Sequence, residues 1–205
     1  MVSNIKHVVI AWGISCLPLH ETSESKLSIT VSRSFGKRVT DITHLKEAVA
    51  TYISSAAQKL RAQNSLTNHI TVFIKTSRHQ DNHNYYKSAS CQLPLPTAYT
   101  PLLIEHAHAC LEKIFTPGTV YKKAGVIFTD IIASTALQMS TVTPLEPQSH
   151  KQANFIRTID ALNNKWGKNT LFFAATGITK PWQANQARKS PRYTTSWNEL
   201  LIIKI

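Results

Sequence analysis

Acid–base or two-metal chemistry needs carboxylates that converge, and the four aspartates of this 205-residue chain do not. Asp41, Asp81, Asp130 and Asp160 stand singly, with no DxD or DE pair. Metal ligation has no better footing. His106, His108 and Cys110 recur every second residue in a helical stretch and so diverge around it, and His79 and His83 meet only if their loop is helical. No GxxxxGK or GxGxxG cradles a phosphate, and nothing resembles a nucleophile elbow, so no cofactor is expected. Cys16, Cys91 and Cys110 are too few and too scattered for a disulfide framework or a zinc site, which points to a reducing, cytoplasmic setting. What the chain has in excess is cations: 23 Lys and Arg against 11 Asp and Glu, a formal charge of +12 with no offsetting acidic block. Such a surface binds polyanions, nucleic acid first among them.

These groups need elements to position them. Lys26–Ser34 alternates, with Leu27, Ile29 and Val31 on one side and Ser28, Thr30, Ser32 and Ser34 on the other, which predicts a half-buried strand ended by Gly36. Thr43–Asn64 carries Leu45, Val49, Tyr52, Ile53, Ala56 and Leu60 at helical spacing, with Asp41 or Thr43 as N-cap. His69–Ser77 reads as a second strand, and Lys87–Leu93 as a third that Pro94 and Pro96 stop. Thr100-Pro101 opens a second helix ending at Thr116-Pro117-Gly118, and Lys122–Asp130 is a fourth strand. No run is long enough to span a membrane. The apolar stretch Val8–Leu19 is broken by Gly13 and Pro18 and reads as a packed lead-in rather than a secretory leader.

The order β-α-β-β-α-β predicts an α+β fold, a four-stranded antiparallel sheet with two helices on one face. Alternation then assigns Ser28, Thr30, Ser32, Ser34, Thr71, Phe73, Lys75, Ser77, Ser88, Ser90, Gln92 and Ile127 to the uncovered face, with Lys37, Arg38, Lys87, Lys122 and Lys123 at strand ends. No carboxylate is among them. Small hydroxyls admit a polyanion closely while the cations supply attraction. The same residues could equally do no more than solvate an open sheet.

The segments SRSFGKRVTD (Ser32–Asp41), FIKTS (Phe73–Ser77), YKSAS (Tyr86–Ser90) and YKKAGVIFTDI (Tyr121–Ile131) are similar to the C-terminal portion of the UmuC-type Y-family translesion DNA polymerases. The likeness resumes at LNNKWGKNTLFFAATGI (Leu162–Ile178) and KSPRYTTSWNEL (Lys189–Leu200) and runs from about Gly13 to Leu200 with the motifs in order. It implies that residues 25–132 are a little-finger domain, which in that family grips template–primer DNA without reading its sequence. Position by position it carries over Arg33, Ser34, Lys37 and Arg38 from the first strand, Lys75 and Ser77 from the second, Ser88 and Ser90 from the third, and Lys122 and Lys123 before the fourth, to which the strand-end Lys87 is added as a candidate DNA contact. Residues 1–24 read as a linker-like lead-in, within which GISCLPL (Gly13–Leu19) resembles the family's linker entering that domain.

The family's metal-binding carboxylates lie N-terminal to everything matched. The expectation is therefore a chain with no polymerase activity of its own, the product of a truncated or split gene. Residues 133–150 hold the position of the family's sliding-clamp peptide, here Gln138-Met139-Ser140-Thr141-Val142. Val142 stands where an aromatic anchor fills the clamp pocket, so clamp binding is expected to be weak or absent. Residues 151–205 match the family's C-terminal region and read as a small α+β unit, with a helix at Gln152–Leu162 and a strand at Thr170–Ala175. Trp182, Tyr193 and Trp197 alternate with Lys180, Arg188, Lys189 and Arg192, a pattern that suits either base stacking or a minimal aromatic core. The competing function is a protein-interaction module that binds a UmuD-type subunit or the recombinase filament and touches DNA little.

Overall fold

A computed structural model describes residues 25–76, 86–136, 150–184 and 189–201. The expected β-α-β-β-α-β order is present: β1 (Ile29–Val39), α1 (Ile42–Ala62), β2 (Ser65–Thr76), β3 (Tyr86–Thr97), α2 (Thr100–Ile114) and β4 (Tyr121–Ala133). A third long helix, α3 (His150–Trp166), follows. The strands form one antiparallel sheet in the order β1-β4-β2-β3. Asp41 caps α1, its side chain accepting from the Thr43 amide at 2.9 Å. Pro101 lies in the first turn of α2, where its missing N–H costs nothing.

Both α1 and α2 lie on one face of the sheet. Ile70, Val72 and Ile74 of β2 and Ala124, Val126 and Phe128 of β4 are fully buried against Leu45, Val49, Ile53 and Leu60 of α1 and Leu103 and Leu111 of α2. Burying each such side chain is worth about 1.5–3 kcal/mol, which makes this two-layer contact the source of the fold's stability. The turn into β4 needs Gly118, whose φ of 79° suits a residue without a Cβ.

Three elements depart from the sequence reading. β1 does not stop at Gly36; after an irregularity, pairing resumes at Val39 opposite Tyr121. The Gly36 amide donates to the carbonyl of Trp182 at 3.0 Å, so its polar group is satisfied from a distant segment. β3 runs through Pro94 and Pro96 to Thr97, which an edge strand tolerates because one side of its backbone has no ladder partner. Thr170–Ala175 forms turns and a short 3-10 helix instead of a strand. The Asn163 amide holds Leu171 by both its N–H and its C=O, at 2.9 Å each, folding the segment back on α3.

The C-terminal region docks on the helical side. Arg61 of α1 makes a two-pronged contact with Asp160 of α3 (2.6 and 2.9 Å) and also donates to the Ala98 carbonyl and the Thr100 hydroxyl. Trp182, 3% exposed, packs edge-on against Phe35 and Tyr52 and donates its indole N–H to Glu47. It joins the main core rather than building one of its own.

Candidate nucleic-acid interface

The sheet face opposite the helices is built in rows by the strand register. Thr30, Ile127, Thr71 and Ser90 are successive partners across the four strands; so are Ser32, Gly125, Phe73 and Ser88; so are Ser34, Lys123, Lys75 and Tyr86. With strands about 4.8 Å apart the platform is about 14 Å wide, and rows follow one another at about 6.6–6.8 Å. Thr30, Ser34, Ser88, Ser90 and Gln92 are exposed on it.

Two features of this face depart from what a merely solvated sheet requires. Lys75 and Lys123 sit directly opposite each other on adjacent strands, both half-buried. Like charges in that relation destabilise a sheet. Neither takes part in an ion pair among the described residues. In the next row Phe73 shares the open phase yet is only 8% exposed, because its ring lies down across Gly125. A Cβ built on Gly125 would stand 2.5 Å from Phe73 Cζ and 2.4 Å from Ser32 Cβ, so only glycine leaves room. Phe73 stacks on Tyr86 at 5.9 Å between centroids, and Tyr86 remains 56% exposed. The result is a low platform of hydroxyls with one aromatic step and a cationic row.

Of the residues singled out in the sequence, the sheet brings together Ser34, Lys75, Ser88, Ser90 and Lys123. Arg33 is not with them. It pairs with Ala124 in the core phase and points to the helical side, where its charge acts on Tyr52. Lys87 pairs with Ile74, again in the helix-facing phase. Lys122 turns to the β1 margin and donates to the Phe35 carbonyl at 3.3 Å, while Lys37 and Arg38 are exposed within the β1 irregularity, between Ser34 and Val39. Ser77, Gln138, Met139 and Val142 lie outside the described residues, as does the 1–24 lead-in. Tyr86 and Gly125 were not singled out, although a glycine inside an otherwise β-branched strand signals a close approach.

Cys91, His108 and Arg192 are each held by structural contacts. Cys91 and Cys110 are free thiols, and burial followed by contact with Cys110 pushes Cys91 up to about 12, which keeps it protonated and unreactive. The Nε2–H of His108 donates to the Lys46 carbonyl at 3.1 Å, and burial holds its pKa below the ordinary value. Arg192 clasps Glu199 through its side chain and amide, tying the SPRYTT segment into a loop. No group of three potential metal ligands occurs among the described residues, and no helix among them is long and apolar enough to cross a membrane.

Comparison with known proteins places these observations. Residues 26–141 match the impB/mucB/samB family C-terminal domain, and residues 153–203 match DUF4113, a domain of unknown function. Protein UmuC of Salmonella typhimurium is 38% identical over 193 residues, covering 94% of this chain and 46% of that protein. Protein SamB of Salmonella typhimurium and protein MucB of Escherichia coli are each 34% identical over 194 residues. The chain thus spans about half the length of the curated relatives it matches. Among solved structures, the insertion ternary complex of Dbh DNA polymerase is similar at a TM-score of 0.44 and 16% identity, over 64% of this chain and 36% of that one. A DinB family error-prone DNA polymerase from Sulfolobus solfataricus is similar at 0.43, over 64% and 37%. With the family domain matched over more than half its length, the chain belongs to the impB/mucB/samB family.

Proposed function

We propose that this chain holds template–primer DNA, independently of sequence, on the open face of its sheet, as the DNA-gripping part of a UmuC-type Y-family translesion polymerase acting in SOS mutagenesis and DNA repair. The observation that carries this reading is the Lys75–Lys123 pair. A sheet that sets two cations opposite each other gives up stability, and a phosphate between them recovers it. Ser34, Ser88, Ser90 and Thr30 then donate to neighbouring phosphate oxygens, and the flat Phe73–Gly125 row lets the backbone approach. Residues 25–132 supply this grip, α3 and the segment at Trp182 brace it from the helical side through Asp160 and the indole, and the chemistry of nucleotide transfer belongs to carboxylates that the matched segments do not include.

A salt titration of a fluorescent primer–template tests the reading. Four to six phosphate contacts predict a log–log slope of about −4 to −5, with little difference between sequences. A second reading has its own observation. Ile178, Trp197 and Leu201 are 88, 88 and 78% exposed, apolar surface of the kind that docks on another protein. On that reading the chain serves as an adaptor to a UmuD-type subunit or to the recombinase filament, and the salt response on DNA is flat.

A further inference from the structure

Between β1, α1 and the C-terminal segment lies a cleft of about 750 Å³. Its cations come from separate elements: Arg33 and Lys123 from the sheet, Lys168 from the loop after α3, and Lys180 beside Trp182. The one carboxylate in its wall, Asp160, is engaged by Arg61. Arg33, Lys123 and Lys168 have no ion pair among the described residues. Phe172, 46% exposed, lines the cleft with Lys180 at 5.6 Å from its ring centroid. Tyr52 also lines it, and its hydroxyl, on a residue 2% exposed, has no hydrogen-bond partner among the described residues. Burial, offset by the charge of Arg33, raises Tyr52 to about 12, so the hydroxyl stays a donor. Ser32, Ser34 and Lys123 line the cleft and also belong to the open sheet face, so the two surfaces are continuous around the β1 edge.

We propose that this cleft receives a single-stranded extension of the DNA held on the sheet face: the strand passes over the β1 edge, its phosphates meet Lys123, Lys168 and Lys180, and a base stacks on Phe172. An anion with a flat, unpaired base is the ligand that uses both the cation excess and the exposed ring. Duplex DNA offers no free base face, and an acidic peptide leaves the ring unused.

The inference rests on the sheet-face reading, and the experiment separates the two. Binding of the full chain to a blunt DNA hairpin is compared with binding to the same hairpin carrying a six-nucleotide single-stranded extension on either end. One stacked base plus two further phosphates predicts about tenfold tighter binding to an extended hairpin. In the Lys168→Gln/Lys180→Gln variant, checked for folding by circular dichroism, that gain disappears while blunt-hairpin affinity stays within about twofold. Phe172→Leu removes part of the gain alone. Equal affinity for both hairpins, or a gain that survives the double variant, overturns the cleft and leaves the sheet face standing. No binding to either hairpin overturns the sheet-face reading itself. Displacement of the extension by polyglutamate as readily as by a thymidine octamer shows a site that reads charge only, and also overturns the proposal.

Discussion

Replacing Lys123 by Gln should make the free protein more stable and its DNA complex weaker, an opposition that few surface substitutions produce. Lys123 faces Lys75 on the adjacent strand, with Cβ atoms about 4.5–5.5 Å apart by register, and both side chains are half-buried. Removing one charge relieves a repulsion worth about 0.5 kcal/mol, within the range measured for cross-strand pairs. Because the repulsion acts through screened solvent, the gain should be largest in dilute salt and vanish near 1 M, where the Debye length is about 3 Å. On DNA the same change removes one phosphate contact, so the salt slope becomes less negative by about 0.9 and low-salt affinity falls several-fold. Urea unfolding at two salt concentrations reads the first effect, and anisotropy with a labelled hairpin reads the second. Combining Lys123→Gln with Lys75→Gln should give no further stability gain, since the first substitution already removes the shared repulsion. A Lys123→Gln protein that is destabilised in dilute salt, or that binds DNA with an unchanged slope, refutes the argument.

Other perturbations address the scaffold. Gly125→Ala should cost about 1–3 kcal/mol by overpacking, because Ser32 Cβ and the Phe73 ring cannot both yield, and it should lift the ring and weaken DNA binding; thermal melts and anisotropy check the two effects. Trp182→Ala removes a buried indole and should cost about 3–5 kcal/mol of docking between the C-terminal segment and the sheet domain, read as faster hydrogen exchange at the Gly36 amide and earlier proteolysis beyond α3. Arg61→Lys should fail to replace the two-pronged contact with Asp160, and should loosen α3 measurably in the same proteolysis assay. The pKa of His108 is held below its ordinary value by burial, so the unfolded chain binds the proton more readily. Its contribution is complete above the unfolded pKa, near 6.5, and is lost as pH falls through that value. Stability measured between about pH 7 and 5 should therefore fall with acid, and His108→Gln should flatten that slope.

The fold was legible because two periodicities are clean. Leu45, Val49, Tyr52 and Leu60 mark a helix face, and Ile70, Val72 and Ile74 mark a strand face, each without help from distant contacts. What local pattern could not carry was the order of strands. Pro94 and Pro96 read as stops, but they end a strand only if it is central, and β3 is an edge. Gly36 likewise reads as a stop because its partner, the Trp182 carbonyl, comes from a remote segment with no local signature. For the interface, alternation alone placed Ser34, Lys75, Ser88 and Ser90 on one face. The same alternation puts Arg33 in the phase of Ile29 and Val31, and the family resemblance that carries Arg33 over position by position says nothing of which face it takes. The aromatic step was half visible: Phe73 was in the open phase, while Tyr86 and Gly125 acquire their roles only through register with it. Trp182 could not be assigned between stacking and core from its basic neighbours, because direction of packing is not a property of spacing.

The most direct test of the central claim is an amide chemical-shift map of the chain titrated with a short DNA hairpin. The account predicts perturbations concentrated at Thr30, Ser32, Ser34, Thr71, Lys75, Ser88, Ser90 and Lys123, with the outer surface of α2 around Glu105, Ala109 and Glu112 unmoved. Shifts centred on α2, or on the exposed Trp197 and Leu201 with the sheet face silent, would contradict it.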